Sequence, residues 1–326
     1  MTNRLWFAAW LIASVVICPD PSSAQKVTGY EWLVISDHAH GVSAIAFSSN
    51  AKYMASASLD KTVKIWEMPK GKLKRTLTGH IEGVSAVAFS PNNKLLASAS
   101  ADRTIKVWAV HNGQMLYSLQ DHRQAITSVA FSPDGSVLAS GSLDSSVKLW
   151  SVKKGKLLAT LLGHHGRVTD INFSPKSKLL ASASADGTAK IWSLTKGKDL
   201  YTLQKHTGAV LSVAFDVKGK KLATGGEDGM VIVWDMNAVK KGDVANQIIS
   251  SIVDHDDAVL TVDFSPNGKY LASSGADKQI IIWDLKQKVV DTIVSDHTGT
   301  VTDVVFSPDK RILGSASMDR TVKLVL

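Results

Sequence analysis

The chain has 326 residues, 44% hydrophobic and 20% charged, and its glycines and prolines are spread along it, which excludes a long disordered tail or linker. Its only cysteine is Cys18, so disulfides, cysteine-ligated metals and thiol nucleophiles are excluded from the chain beyond that position. The net charge of +8 favours anionic partners such as acidic polysaccharide, lipid headgroups or nucleic acid.

The first 24 residues have the layout of a secretory signal peptide. A basic residue precedes an apolar and small run, Leu5 to Cys18, and small residues end the segment at Ala24. We therefore expect residues 1–24 to be cleaved on export, which would leave the mature chain in the periplasm or secreted. Two alternatives stay open. In the first, the apolar run is retained as a membrane anchor, although a transmembrane helix needs about 20 residues. In the second, Cys18 is acylated.

Seven copies of one unit follow, and four residue types recur in each. A histidine is followed 22 residues later by an aspartate, with a Ser or Thr four residues before the aspartate and a tryptophan six residues after it. Successive histidines are 42 residues apart, with one step of 49. The sets are His38, Ser56, Asp60, Trp66; His80, Ser98, Asp102, Trp108; His122, Ser140, Asp144, Trp150; His164, Ser182, Asp186, Trp192; His206, Thr224, Asp228, Trp234; His255, Ser273, Asp277, Trp283; and His297, Ser315, Asp319, with Val325 at the last tryptophan position. This register predicts a repeat architecture.

Each unit contains four short strand patterns separated by turn residues. In the second copy they are Val84–Ser90, Leu95–Ser100, Thr104–Val110 and Met115–Leu119. Four antiparallel strands in about 42 residues make one blade of a β-propeller, and no helical period interrupts them.

These residues resemble the WD40-repeat family over about residues 29–326. The signature dipeptides occur only at Gly79-His80, Gly163-His164, Trp234-Asp235 and Trp283-Asp284, whereas the spacing is kept throughout. The resemblance implies an all-β fold, a seven-bladed propeller of four-stranded antiparallel blades over residues 25–326. The seventh copy has three strands, so we expect residues 29–36 or so to add the fourth and close the ring, which would bury two sheet edges.

The recurring hydroxyl, histidine and aspartate are also the residue types of a catalytic triad. Seven equivalent sites around a ring would be unusual for an enzyme. In the family that the chain resembles, these residues and the tryptophan form a buried chain of hydrogen bonds from indole to hydroxyl, imidazole and turn aspartate. We therefore interpret the sets as structural tetrads and expect no catalytic, cofactor-binding or metal-binding residue. Val325 would leave Ser315 without an indole partner, so we expect blade 7 to be the least protected against hydrogen exchange.

The resemblance also implies that partners bind the upper face, at the positions three and five residues after the histidine and just before the aspartate. Most of these positions hold small residues, and those expected to contact a partner are Leu59, Arg167, Leu211, Glu227, Leu260 and Met318. We expect the four apolar residues to form an arc on blades 5, 6, 7 and 1. Arg167 and Glu227 are either a surface ion pair of little energetic value or a charged flank that orients a bound peptide.

The positive charge is interpreted as solubilising. Lys64, Lys106, Lys148, Lys190 and Lys323 each precede the end of the repeated motif by two residues, which predicts a ring of lysines with their ammonium groups in water. The longer unit carries its extra residues at about 235–246, on the predicted lower face, either as a tolerated insertion or as a specificity loop.

A platform for a protein or peptide partner accounts for all these features. We expect a monomeric, exported, non-catalytic scaffold that has no cofactor and no specific nucleic-acid site. Two other hypotheses stay open: an adhesin-like binder of anionic glycans or membrane surfaces, and a propeller enzyme with its site in the central channel.

Overall fold

The computed structural model of the protein describes residues 32–325. The predicted signal peptide and residues 29–31 of the predicted closing strand lie outside the described residues. Within the described range, 28 strands form seven four-stranded antiparallel sheets. The prediction of an all-β, seven-bladed propeller is confirmed.

The blades follow one another along the chain, and each uses four consecutive strands except the last. Blade 1 contains β2 (Val42–Phe47), β3 (Tyr53–Ser58), β4 (Val63–Glu67) and β5 (Lys72–Leu77). Blade 2 contains β6 (Val84–Phe89), β7 (Leu95–Ser100), β8 (Thr104–Ala109) and β9 (Met115–Gln120). Blade 3 contains β10 (Ile126–Phe131), β11 (Val137–Ser142), β12 (Val147–Ser151) and β13 (Lys156–Leu161). Blade 4 contains β14 (Val168–Phe173), β15 (Leu179–Ser184), β16 (Thr188–Ser193) and β17 (Lys198–Gln204).

Blade 5 contains β18 (Val210–Phe215), β19 (Lys221–Gly226), β20 (Met230–Asp235) and β21 (Ile248–Val253). Blade 6 contains β22 (Val259–Phe264), β23 (Tyr270–Gly275), β24 (Ile280–Asp284) and β25 (Val289–Val294). Blade 7 contains β26 (Val301–Phe306), β27 (Leu313–Ser317), β28 (Val322–Val325) and, at its rim, β1 (Trp32–Ile35).

Blade 7 combines the two ends of the described chain. β1 lies beside β28, with the backbone of Trp32 opposite Val325 and that of Ile35 opposite Val322. Residues 32–35, the described part of the predicted closing strand, therefore occupy the rim of the last blade.

The burial pattern of each strand follows from its place in the blade. Second strands such as β7, with the sequence LLASAS, are buried along almost their whole length, because neighbouring blades pack on both of their faces. Their alanines and serines leave room for that packing. Rim strands such as β13, with the sequence KLLATL, are mostly exposed.

The hydrophobic core is divided into seven clusters, one between each pair of neighbouring blades. Between blades 1 and 2, for example, Ile65 belongs to the same cluster as Val84 and Leu96. Each blade thus buries its apolar faces only against two neighbours.

The connecting loops define two faces. The upper face carries the loops that join fourth to first strands and second to third strands, which hold the repeated histidines and aspartates. The lower face carries the loops that join first to second strands and third to fourth strands. The extra residues of blade 5 lie on this lower face, as predicted, and form a short helix, α1 (Met236–Lys241), and a 3-10 turn, Val244–Asn246. Within the described range, no helix is long and apolar enough to cross a membrane.

Candidate functional site: central channel and upper face

The predicted tetrads form hydrogen-bonded chains inside the blades. In blade 4 the Trp192 indole N–H donates to Ser182 Oγ at 2.7 Å, and Ser182 Oγ lies 2.7 Å from His164 Nε2. His164 Nδ1 lies 2.9 Å from Asp186 Oδ2. The Ser182 hydroxyl is fully buried, so the chain orders the blade interior and leaves no accessible nucleophile.

The electrostatics of a tetrad favour a neutral imidazole beside an ionised aspartate. Burial lowers the pKa of His164, although its hydrogen bond to Asp186 opposes the shift. Burial raises the pKa of Asp186, but hydrogen bonds from Thr188, the His165 backbone and His164 outweigh it and bring this pKa to about 2. The aspartate also accepts from the backbone N–H of Thr188 at 3.0 Å, which fixes the turn between the second and third strands.

Blade 7 carries an incomplete tetrad. Ser315 Oγ lies 2.8 Å from His297 Nε2, and its other contact is the Lys323 carbonyl oxygen at 3.4 Å. Val325 is buried at the tryptophan position, and its side chain has no N–H to donate. The hydroxyl therefore has a weaker set of partners than in the other six blades.

The lysine ring differs from its prediction. Lys106 and Lys148 are buried, and Lys148 and Lys64 pair with Asp121 and Asp37 of the upper loops. The prediction that the ammonium groups stand in water is therefore wrong for Lys64, Lys148 and Lys323, because the loop before the histidine supplies each of them with an acceptor.

The seven first strands surround a central channel with a volume of about 370 Å³. Its wall carries two belts of hydrogen bonds that run from blade to blade. In the first belt, a hydroxyl five residues after the histidine donates to a backbone carbonyl of the next blade. The pairs are Thr302 to Val42, Ser43 to Val84, Ser85 to Ile126, Thr127 to Val168 and Thr169 to Val210.

The second belt uses the residue one position further along each first strand, as an acceptor for a backbone N–H of the next blade. The donors and acceptors are Ile171 to Ser128, Val213 to Asp170, Val262 to Ser212, Val304 to Thr261 and Ile45 to Asp303. The first belt is interrupted in blades 5 and 6, where Leu211 and Leu260 replace the hydroxyl residue. The second belt is interrupted in blades 1 and 2, where the acceptor position holds alanine. Every contact between blades has at least one of the two bonds.

Three carboxyl groups line this channel, and the sequence prediction missed them. They belong to Asp170, Asp263 and Asp303. Burial raises the pKa of all three, to about 7 for Asp263 and Asp303, and the pKa of Asp303 is raised further by the charges of the other two. An alignment of the seven copies would have marked these three aspartates as unusual, because most other copies have Ala, Ser or Thr at the same positions.

The predicted upper-face residues separate into two groups. Leu211 and Leu260 line the channel, whereas Leu59 and Met318 lie on the outer part of the upper face with 46% and 44% of their surface exposed. The four apolar side chains therefore do not form the predicted continuous arc, because two of them lie on the channel wall and two on the upper face.

Leu59 and Met318 lie at neighbouring contacts between blades. A Cβ placed on Gly41 would be 2.6 Å from Met318 Sδ, and one on Gly83 would be 3.1 Å from a Leu59 methyl carbon. The Leu59 backbone N–H donates to the Gly41 carbonyl at 3.0 Å, so the loop that carries Leu59 is bonded to the glycine that the Met318 side chain borders, while the Leu59 side chain borders Gly83. Glycine in the next blade is what allows them to lie across the contact.

Arg167 and Glu227 are both exposed. Glu227 Oε2 accepts from the Ala209 backbone N–H at 3.3 Å, and no ion pair joins these two side chains among residues 32–325. The ion-pair interpretation is wrong for this structure, because the carboxylate of Glu227 turns toward its own blade.

Comparison with known families agrees with this geometry. Residues 42–207 match the family described as the second beta-propeller of echinoderm microtubule-associated protein, and residues 197–235, 246–284 and 288–325 match the WD domain, G-beta repeat. The chain belongs to the WD40-repeat β-propeller family. It is also 41% identical over 59 residues to the ribosome biogenesis protein BOP1 homolog of Drosophila virilis, an alignment that covers 18% of this chain and 8% of that protein.

WD40 propellers typically act as non-catalytic scaffolds that bind other proteins. Within the part of the chain that the structure describes, no group of three or more His, Cys, Asp or Glu side chains is placed to hold a metal ion. Each channel carboxyl group instead accepts a hydrogen bond from a backbone N–H of the next blade, and Asp170 also accepts from the hydroxyls of Ser128 and Ser212.

Proposed function

We propose that this WD40 propeller is an exported, non-catalytic platform that binds a protein partner through its upper face. The observation that carries the proposal is the pair of exposed apolar side chains, Met318 and Leu59, which border Gly41 and Gly83 at the neighbouring contacts between blades 7 and 1 and between blades 1 and 2. Exposed apolar side chains are a common mark of protein-binding sites, and the loops of the upper face also expose Ile81 and Leu162.

The chemistry around the pair suggests a partner peptide with apolar and basic residues. The loop before the first strand of blade 6 exposes Asp256 and Asp257, one blade away from Met318. A carboxylate next to an apolar contact would orient a basic residue of the partner, because charge complementarity sets the orientation of a bound chain.

The non-catalytic part of the proposal is supported by how the reactive groups are used. The tetrad hydroxyls are buried, and Asp170 accepts bonds from Ser128, Ser212 and Val213 across two contacts between blades. Such bonds explain the presence of the carboxylate without a substrate.

The test is affinity capture from the exported fraction of the native host. A Leu59→Asp/Met318→Asp variant should lose the captured partner, because two charges would replace the apolar contact. The matched control is Leu116→Asp/Leu158→Asp, which changes two exposed leucines on the rim strands of blades 2 and 3. Circular dichroism melting must show that both variants fold.

Loss of the partner in both variants, or in neither, would contradict binding at the upper face. Export is tested separately, by fractionating cells that make the full chain. The proposal expects the protein outside the cytoplasm with an amino terminus at Gln25. A chain found in the cytoplasm with residues 1–24 intact would overturn that part.

A further inference from the structure

The charges of this propeller are separated between its two faces. The loops of the lower face carry seventeen basic residues: Lys52, Lys70, Lys94, Lys153, Lys154, Lys176, Lys178, Lys196, Lys218, Lys220, Lys240, Lys241, Lys269, Lys286, Lys288, Lys310 and Arg311. The same loops carry four acidic residues: Asp134, Asp216, Asp243 and Asp309. Every blade contributes at least one of the basic residues, so the positive charge surrounds the whole lower opening of the channel.

The upper face has the opposite balance. Its loops carry fifteen acidic residues: Asp37, Asp60, Glu82, Asp102, Asp121, Asp144, Asp186, Glu227, Asp228, Asp254, Asp256, Asp257, Asp277, Asp296 and Asp319. They carry seven basic residues: Lys61, Arg103, Arg123, Arg167, Lys205, Lys278 and Arg320. The lysines of the third strands, such as Lys64 and Lys148, add positive charge nearby, but these two pair with upper-loop aspartates. The net positive charge of the chain therefore comes from an excess of basic residues on the lower face.

The lower lysines are also available to a partner. Sixteen of the seventeen basic residues are exposed, and Lys269 is half-buried. Among the described residues, only Lys269 and Arg311 of this group form ion pairs, with Asp284 and Asp309. The remaining ammonium groups keep their full charge for an external anion.

We propose that the lower face docks on an anionic lipid bilayer, with the propeller axis roughly perpendicular to the membrane. A ring of lysines on the flat end of a disc fits a flat anionic surface, to which each lysine contributes about fivefold in affinity. Lysine suits this contact because it acts as a point charge on a flexible stem.

The path of the chain supports a bilayer. β1 runs from the lower face upward, because Trp32 lies opposite Val325 at the lower end of β28. The described chain therefore begins at the lower face, at Trp32, and the sequence that precedes Trp32 includes the apolar run Leu5 to Cys18. The basic face is thus the face at which the amino-terminal sequence is attached.

The composition of the lower loops favours a bilayer over a nucleic acid. These loops contain no Phe, Tyr or Trp on which bases could stack, and sixteen of their seventeen basic residues are lysine. Proteins that read phosphates with a fixed geometry prefer the planar fork of arginine. A diffuse lysine surface instead matches headgroups that move in the membrane plane.

The test is co-sedimentation of the full chain with vesicles of phosphatidylcholine alone or with a quarter phosphatidylglycerol. Replacing Lys176, Lys178, Lys218 and Lys220 by glutamine removes four exposed charges from blades 4 and 5. The matched control replaces Lys61, Arg103, Lys205 and Lys278 of the upper face by glutamine, which changes the net charge equally. We expect the lower variant to bind the anionic vesicles at least about tenfold more weakly and the upper variant to bind them like the original chain.

Chemical footprinting gives a second readout. Acetylation of the lower lysines should slow on anionic vesicles, whereas Lys205 and Lys278 stay reactive. The proposal is overturned if the original chain prefers neither vesicle, if both variants weaken equally, or if the lower variant loses affinity for duplex DNA or single-stranded RNA but not for vesicles. Because these variants leave Leu59 and Met318 unchanged, the outcome is independent of partner capture on the upper face.

Discussion

Blade 4 and blade 7 have the same architecture and are held together in different ways. Blade 4 is one continuous segment with a complete tetrad around Trp192, which is 1% exposed. Blade 7 is built from both ends of the described chain and has Val325 in place of the tryptophan.

The contact between blades 7 and 1 compensates in part for this weaker interior. Thr302 donates to the Val42 carbonyl at 2.6 Å, and Asp303 accepts from the Ile45 N–H at 2.9 Å. Both belts thus cross the point where the ring closes, whereas the contacts between blades 5 and 6 and between blades 6 and 7 have only the second belt. The comparison shows that hydrogen bonds within a blade and hydrogen bonds between blades stabilise this propeller independently.

The largest expected effect comes from removing the centre of a complete tetrad. Trp192→Ala should lower the free energy of unfolding by about 3–5 kcal/mol, because it leaves a large cavity and an unsatisfied hydroxyl. Val325→Ala should cost about 2 kcal/mol, because it removes only two methyl groups from the corresponding place. Urea unfolding followed by circular dichroism measures both. A cost for Val325→Ala as large as that for Trp192→Ala would contradict the difference between the blades.

The next effect concerns the carboxyl group at the closing contact. The pKa of Asp303 is about 7 in the folded protein, against an ordinary value of 3.8. Between these values the unfolded chain is ionised while the folded chain keeps the proton, so this group makes the protein less stable as the pH rises from about 4 to about 7. Above pH 7 Asp303 is ionised in both states, so the loss of stability that it causes no longer changes with pH.

Asp303→Asn should therefore stabilise the protein, since the amide oxygen still accepts from Ile45 and carries no charge near Asp170 and Asp263. The gain should be small at pH 4, grow through pH 7, and reach about 2 kcal/mol, a value reduced for screening because the side chain is partly exposed. Thermal unfolding across this pH range measures it, with the exposed Asp256→Asn as control. A gain that does not change with pH would show that burial in the channel does not raise the pKa of Asp303.

The sequence sufficed for the blades and the tetrads because these residues recur seven times at fixed spacing, so each copy supports the others. The channel carboxyl groups occur in only some of the copies. Asp170 and Asp303 occupy one position of the first strand and Asp263 another, and each was hidden in an apolar strand pattern. Which side chains of two blades meet across a contact depends on the twist of both strands, so the pairing of Leu59 with Gly83 required the structure.

A smaller effect should follow from removing one bond of the first belt. Thr169→Val keeps the shape of the side chain and removes the donor to the Val210 carbonyl, which lies 2.6 Å away. We expect a loss of about 1 kcal/mol in the free energy of unfolding, because the second belt still joins blades 4 and 5. Thr298→Val, in an exposed upper loop, is the control and should leave the urea midpoint unchanged. Equal midpoints for the two variants would mean that the belt does not contribute to stability.

The smallest effect, and the most direct comparison of the two blades, is in hydrogen exchange of the original chain. Amides of β27 and β28 should exchange faster than those of β15 and β16, because Ser315 lacks its indole donor and β27 is one residue shorter than β15. Amides of β26 should be protected like those of β14, because both belts hold β26 against blade 1. Exchange measured by mass spectrometry on peptides from these strands separates the two sources of order. If β26 exchanges as fast as β28, the bonds that close the ring do not hold the inner strand in place. If all six strands are equally protected, the missing tryptophan does not lower the local stability of blade 7.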